Sequence, residues 1–227
     1  MNNTPIPYTV VYSNRKTLSI IIERDRSVVV RAPHHITEDK IAQAVKKRHK
    51  LIQQKIDHNA KYPYEKPSKE FVTGESLMYL GHHYKLYVVD EPVEGVVFDN
   101  KFFISKANQQ RANEIFKNWY IGQAKELLIP KAIHIAKRLG VTYNHLNIMD
   151  LKFRWGSCTP KDNIHLNWRL IKAPMTVIEY IIVHELTHLL EANHTPEFWN
   201  RVASQLPTYE KAKRWLKENG HALEVDF

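Results

Sequence analysis

Tyr8–Tyr12, Leu18–Glu23 and Val28–Arg31 are short β-branched or aromatic runs separated by Ser13-Asn14 and Asp25-Arg26, a pattern that predicts a meander of antiparallel strands. After Pro33 the period lengthens. Thr37 through Asp57 opens with a capping residue and an acidic first turn, and Ile41, Ala44, Val45, Leu51, Ile52 and Ile56 then recur at helical spacing. Lys46, Lys47, Arg48, Lys50 and Lys55 fill the opposite face, so this is a basic helix. Tyr62–Pro67 reads as a proline-punctuated linker, and a second strand group follows at Phe71–Thr73, Ser76–Tyr79, Tyr84–Val89, Gly95–Phe98 and Lys101–Ile104.

From Asn108 to Leu139 the pattern is helical, with Ile115, Trp119, Ala124, Leu127, Leu128, Ile133, Ile135 and Ala136 as core candidates. Pro130 should kink or split that helix, and Gly140 should end it. Leu151–Trp155 alternates apolar and basic residues until Gly156-Ser157 breaks it, and Ile164–Leu170 alternates again. Both predict half-buried strands. Thr176 and Glu179 form a capping-box pair for a helix through about Glu191, Thr195-Pro196 opens another, and Tyr209–Glu218 is the last, closed near Gly220. The chain therefore reads as α+β, with a β-rich N-terminal region over residues 1–105 carrying one basic helix, and a C-terminal domain over residues 106–227.

Composition narrows the class. With 227 residues, 43% hydrophobic and 25% charged, the chain is neither disordered nor collagen-like. The one cysteine, Cys158, excludes a disulfide framework and any thiolate-rich zinc site, and suits a reducing compartment. No run of about 18 apolar residues exists, and the first residues lack the basic and apolar regions of a signal peptide, so a cytoplasmic protein is expected. The formal charge of +9 is unevenly spread: residues 1–70 hold 14 Lys/Arg against 7 Asp/Glu, residues 71–150 hold 9 against 8, and residues 151–227 hold 10 against 9. Weak nucleic-acid binding is thus an expectation for the N-terminal region alone, where clustered cations would release counterions from phosphates. A solvated amphipathic face explains the same residues, because no aromatic stacking set accompanies them.

The chemistry concentrates in His184-Glu185-Leu186-Thr187-His188. Four helical residues turn by about 400°, which puts two imidazoles within roughly 40° of one face and about 6 Å apart along the axis. Both can reach one zinc ion at about 2.0–2.1 Å, and Glu185 projects to the flank where it can act as base on a water. By chance, 13 His and 16 Glu in 227 residues would give roughly 0.05 such motifs. His194 lies ten residues beyond His184, and a sharp turn at Asn193, a residue that tolerates left-handed backbone, would bring it to the same ion. Glu191, Glu197 and Glu210 are alternatives for that third position. Three protein ligands leave a fourth open for water, which fits peptide hydrolysis with Glu185 moving the proton.

Arg154-Trp155-Gly156-Ser157-Cys158, Asn163–Leu170, His184–His188, Asn193-His194 and Phe198-Trp199 together resemble the YgjP-like metallopeptidase family, related distantly to the SprT-like proteases within the zincin fold. The resemblance implies a small sheet above an HExxH helix, Zn²⁺ on His184, His188 and His194, and Glu185 as the catalytic residue. The spacing also resembles the metzincins, but Glu191 stands where they carry glycine and no Met-turn is evident. Within the family both peptidase and nucleotide pyrophosphohydrolase activities are proposed, so the expected function is a zinc-dependent metallopeptidase acting on extended polypeptide. The alternatives are a metal-dependent pyrophosphohydrolase, with Arg154 and Arg169 clamping phosphates, and a nucleic-acid or protein-binding module whose zinc is structural.

Other residues carry weaker expectations. Arg154, Asn167 and Arg169 are candidates for substrate binding, and either Phe153–Trp155 or Ile164–Leu170 could receive an extended substrate by strand addition. Trp155, Trp168 and Trp199 are expected in the core, Tyr209 in packing, and Cys158 as a small buried hydrophobe. His34-His35 and His82-His83 are adjacent, not helically spaced, and are assigned no metal.

Overall fold

The computed structural model describes residues 5–23, 26–60, 69–151 and 154–224, and divides the chain into two units, Met1–Pro67 and Ser68–Phe227. In the first, β1 (Thr9–Ser13), β2 (Ser19–Ile22) and β3 (Val28–Pro33) form a sheet of order β1-β3-β2, with β1 parallel and β2 antiparallel to β3. This is not the expected meander. Val28, Val30 and Ala32 are the buried row, so β3 takes the centre, and the largely exposed β1 is left at an edge.

The basic helix is two helices, α1 (Glu38–Lys47) and α2 (His49–Ala60), broken at Arg48, where φ is −104° and ψ 9°. Periodicity does not show the break, because the 11 residues from Ile41 to Ile52 span about three helical turns and stay in phase across it. Ile41, Val45 and Ile52 pack with Val28, Val30 and Ala32 in one core, while Leu51 is 66% exposed. Lys46, Lys47, Arg48, Lys50 and Lys55 face solvent as the pattern required. The Tyr62–Pro67 linker lies outside the described residues.

In the second unit β4 (Ser76–Tyr79), β5 (His82–Val89), β6 (Val97–Phe98) and β7 (Phe102–Ser105) form a sheet of order β4-β5-β7-β6. Phe71–Thr73 is not a strand: Phe71 has φ +53° and donates its N–H to the Glu75 carboxylate at 2.7 Å. The boundary between the compact units falls after Pro67, whereas the sequence divided the chain after residue 105. The physical reason is a shared core. Leu77, Leu86, Phe102 and Ile104 are buried with Phe116, Tyr120 and Leu128, and Leu80 N–H and Gly81 N–H donate to the carbonyls of Ile171 and Lys172 at 3.0 and 2.8 Å.

A 3₁₀ turn, Lys106–Arg111, leads into α3 (Ala112–Leu139), which runs unbroken past Pro130. Pro130 is exposed, so the carbonyl it leaves without a donor can face water, and the buried stripe Phe116, Tyr120, Ala124, Leu128, Ala132 and Ile135 continues across it. Ile133 falls off that stripe at 54% exposure. Gly140, with φ +69°, ends the helix in the left-handed conformation that favours glycine.

A third sheet follows, β8 (His145–Met149), β9 (Gly156–Cys158) and β10 (Asn163–Asn167), in the order β8-β10-β9. The sequence pattern missed β8, which offers only Leu146 and Ile148 to the core. The strand expected at Leu151–Trp155 falls partly outside the described residues. The one expected at Ile164–Leu170 stops early, because Asn167 Oδ1 accepts the Arg169 N–H at 3.1 Å and turns Trp168–Lys172 into a 3₁₀ segment buried on all sides.

The last helices are α4 (Met175–Thr187), α5 (Pro196–Gln205) and α6 (Tyr209–Leu223). No side chain caps α4; Glu179 pairs instead with Lys131 at 2.7 Å. α6 continues through Gly220, which lies against Trp155. The whole is a mixed α+β fold. Among the described residues no helix is long and apolar enough to cross a membrane.

Candidate active site

Nine of the 13 residues of α4 are buried, which holds its register firmly, and the residues that could do chemistry emerge at its C-terminal end. His184 and Glu185 lie in its last turn and His188 is its C-cap, still in helical conformation. The chain then reverses. Asn193 does not adopt left-handed backbone; the turn closes instead with Thr195 N–H donating to the Asn193 carbonyl at 2.8 Å. Thr195 Oγ1 accepts the Phe198 N–H at 3.3 Å and caps α5, as its sequence signature required.

This reversal brings three imidazoles together. Ring centroids of His184, His188 and His194 stand 5.0, 4.8 and 4.8 Å apart, and one nitrogen from each lies within 4.8 Å of the others. His184 Nε2 and His194 Nε2 face one another at 3.0 Å, close to the roughly 3.3 Å that separates two nitrogens sharing a tetrahedral zinc with bonds of about 2.0–2.1 Å. His188 Nδ1 donates to the Glu191 carbonyl at 3.1 Å, which leaves its Nε2 to coordinate. Burial, reinforced by the other histidines and Lys213, pushes His184 down to about 3 and moves His194 the same way, so neither takes up a proton at neutral pH. A set of three imidazoles gathered this closely fits a divalent metal. Among the described residues no Glu joins it, and Glu191 contributes only its backbone carbonyl to the site.

Glu185 is 6% exposed. Burial pushes its carboxyl up to about 7, opposed by the charge of Arg154 and by the Cys158 backbone N–H that it accepts. Its neighbour across the cleft is β9. A Cβ built on Gly156 would stand 2.6 Å from Glu185 Cγ and 2.8 Å from Oε1, so only glycine lets the strand approach this close. The alternation along the sequence marks Gly156 merely as the end of a strand. The signal for its role, a glycine within an alternating stretch, was present but needed the facing residue to be interpretable.

His184, Glu185, His188, His194 and Arg154 line one cavity of about 690 Å³ whose opposite wall is Gly156–Thr159. Cys158 is half-buried in that wall, and burial together with the charges of Glu185 and Asp162 raises its thiol, keeping it protonated. Asn167 and Arg169 do not line the cavity. Asn167 donates to the carbonyls of Leu151 and Arg154 at 2.7 and 3.0 Å, and Arg169 pairs with Asp150 while stacking over Trp168 at 4.5 Å. They hold the segment that delivers Arg154 and β9 to the site. Asn167→Ala is therefore expected to cost about 2–3 kcal/mol through buried groups left unpaired, seen as a melting point lower by roughly 4–12 °C. A melt matching wild type would show that this clamp contributes nothing.

β10 is paired on both sides, so Ile164–Leu170 cannot receive a substrate strand; among the described residues β9 pairs with β10 alone. The Phe153–Trp155 candidate lies partly outside the described residues. Trp168 is in the core, and the half-buried Trp155 and Trp199 pack against it, Trp199 also stacking on His194 at 5.5 Å.

A family model described as "YgjP-like, metallopeptidase domain" matches residues 16–219. Among solved structures, the crystal structure of the metallopeptidase zymogen of Pyrococcus abyssi abylysin is similar at 22% identity, covering 44% of this chain and 99% of that one, with a TM-score of 0.38. No curated protein matches the chain.

Proposed function

The chain belongs to the YgjP-like metallopeptidase domain family, and on that premise we propose that it is a zinc-dependent peptidase of zincin type, with α4 as the HExxH helix, which cleaves extended or unfolded polypeptide. The observation that carries this is the placement of Glu185, buried against β9 beside the three-histidine set in one cavity. A structural zinc site has no use for a carboxylate held there.

His184, His188 and His194 would hold the ion; imidazole donors with an open position suit catalytic zinc. Bound there, zinc would supply Lewis acidity toward the attacking water and the scissile carbonyl. Glu185 receives the water's proton on its carboxylate and returns it to the leaving nitrogen, a role that needs a proton affinity near neutrality such as burial gives it. The Cys158 N–H holds that carboxylate in orientation, and Arg154 at the cavity wall moderates its basicity. The edge of β9 that is unpaired among the described residues offers main-chain hydrogen bonds to an extended peptide, which would select for unfolded segments. A pyrophosphohydrolase would need a phosphate clamp, and of the two arginines expected to form it, Arg169 is committed to Asp150 and does not line the cavity.

The test is a metal balance on the full chain with unfolded protein and nucleoside triphosphates as substrates. One zinc per chain is expected, with cleavage of unfolded protein abolished by a chelator and restored by zinc. Proteolysis indifferent to chelation, or a chain without metal affinity, would overturn the proposal.

A further inference from the structure

The three candidate ligands are not held alike. His188 is oriented by its hydrogen bond to the Glu191 carbonyl, whereas His184 Nδ1 is buried with no hydrogen-bond partner among the described residues. The exposed ring of His194 bonds, among the described residues, only to His184 Nε2, which is itself a ligand. A metal-binding imidazole ordinarily needs an outer partner to fix its plane. For His194 that partner is an aromatic ring.

The His194 imidazole stacks on Trp199 of α5, with centroids 5.5 Å apart and planes 25° from parallel. Trp199 stacks in turn on Tyr209 of α6 at 5.5 Å and 17°, and Tyr209 on Tyr180 of α4 at 6.2 Å and 24°. Tyr180 meets His184 edge-on at 5.8 Å, one helical turn before it. Four near-parallel rings thus run from one candidate ligand to the helix carrying the other two, and the Lys213 ammonium sits 4.1 Å from the Trp199 ring centroid. Separations of this kind fall in the favourable range for aromatic pairs, and a cation on an indole adds attraction.

We infer that Trp199 is a positioning residue for the third ligand: clamped between His194 and Tyr209, its indole sets the plane of the His194 imidazole and thereby the zinc affinity of the site. This rests on the reading of His184, His188 and His194 as the metal set. The column supplies from packing what His188 obtains from a hydrogen bond. Leucine at position 199 would keep apolar volume but remove the flat face, so that the His194 plane is set by the edge-on Phe198 ring at 4.7 Å without the stacking partner.

The experiment measures zinc affinity by competition with a chromophoric chelator, and the visible spectrum of the cobalt(II)-substituted chain. In Trp199→Leu the affinity is expected to fall about tenfold or more with an altered cobalt spectrum, and Trp199→Phe should recover most of both. Melting of the metal-free variants checks that α5 still folds; if Trp199→Leu does not fold, Tyr209→Leu, which removes the ring behind the indole, should shift affinity the same way. A folded Trp199→Leu chain with wild-type affinity and spectrum overturns the inference. A wild-type chain that binds no metal overturns the metal-centre reading itself.

Discussion

Glu185→Gln is expected to retain one zinc per chain and to lose proteolysis by roughly 10²–10⁴-fold, the usual contribution of a positioned proton carrier. Glutamine has the volume of glutamate and can still accept the Cys158 N–H through its amide oxygen, so the cavity should keep its shape. It cannot take a proton near neutral pH. The metal set is untouched because Glu185 is not among the clustered donors. Stability should not fall, since the substitution removes a carboxyl whose ionisation burial already opposes. Metal content, melting and hydrolysis of an unfolded protein measured on the same preparation decide the matter: near-normal turnover would exclude Glu185 as the base, whereas lost metal would make it a ligand.

The second large effect comes from a residue that carries no functional group. Gly156→Ala places a methyl 2.6 Å from Glu185 Cγ and 2.9 Å from Cδ, distances that side chains do not tolerate, so either β9 or the carboxyl must move. The flexible end gives first, and a catalytic group misplaced by about 1 Å can lose roughly 10²-fold in rate. Overpacking of a buried contact should also cost about 1–3 kcal/mol. The distinguishing signature is a chain that binds zinc normally, melts somewhat lower and cleaves poorly. Unchanged turnover would show that the close approach of β9 to Glu185 has no catalytic meaning.

What could be read in the chain and what could not separate along physical lines. The motif His184–His188 was legible because helical spacing converts sequence separation into a shared face, and the Thr195-Pro196 start of α5 because capping is local chemistry. Asn167 and Arg169 were legible as polar residues on an alternating segment, yet read as substrate contacts. Their real partners, the carbonyls of Leu151 and Arg154 and the carboxylate of Asp150, lie 13 to 19 residues away. The break at Arg48 was hidden by a pattern that stays in phase, and the passage of α3 through Pro130 depended on which side of the helix meets water.

By itself the sequence supplied the candidate donor set, the candidate base beside it, the exclusion of thiolate-rich zinc sites and the concentration of positive charge in the first third, since residue identity and short-range periodicity suffice for each. Only the tertiary structure decided that β3 rather than β2 takes the centre of its sheet, and that β4–β7 share a core with α3. It also decided that, among the described residues, β9 and not β10 keeps an unpaired edge, that Gly156 meets Glu185, and that Trp199 meets His194. These are meetings of residues distant in the chain. They are settled by which surfaces bury one another, a competition among all segments at once that no local pattern records.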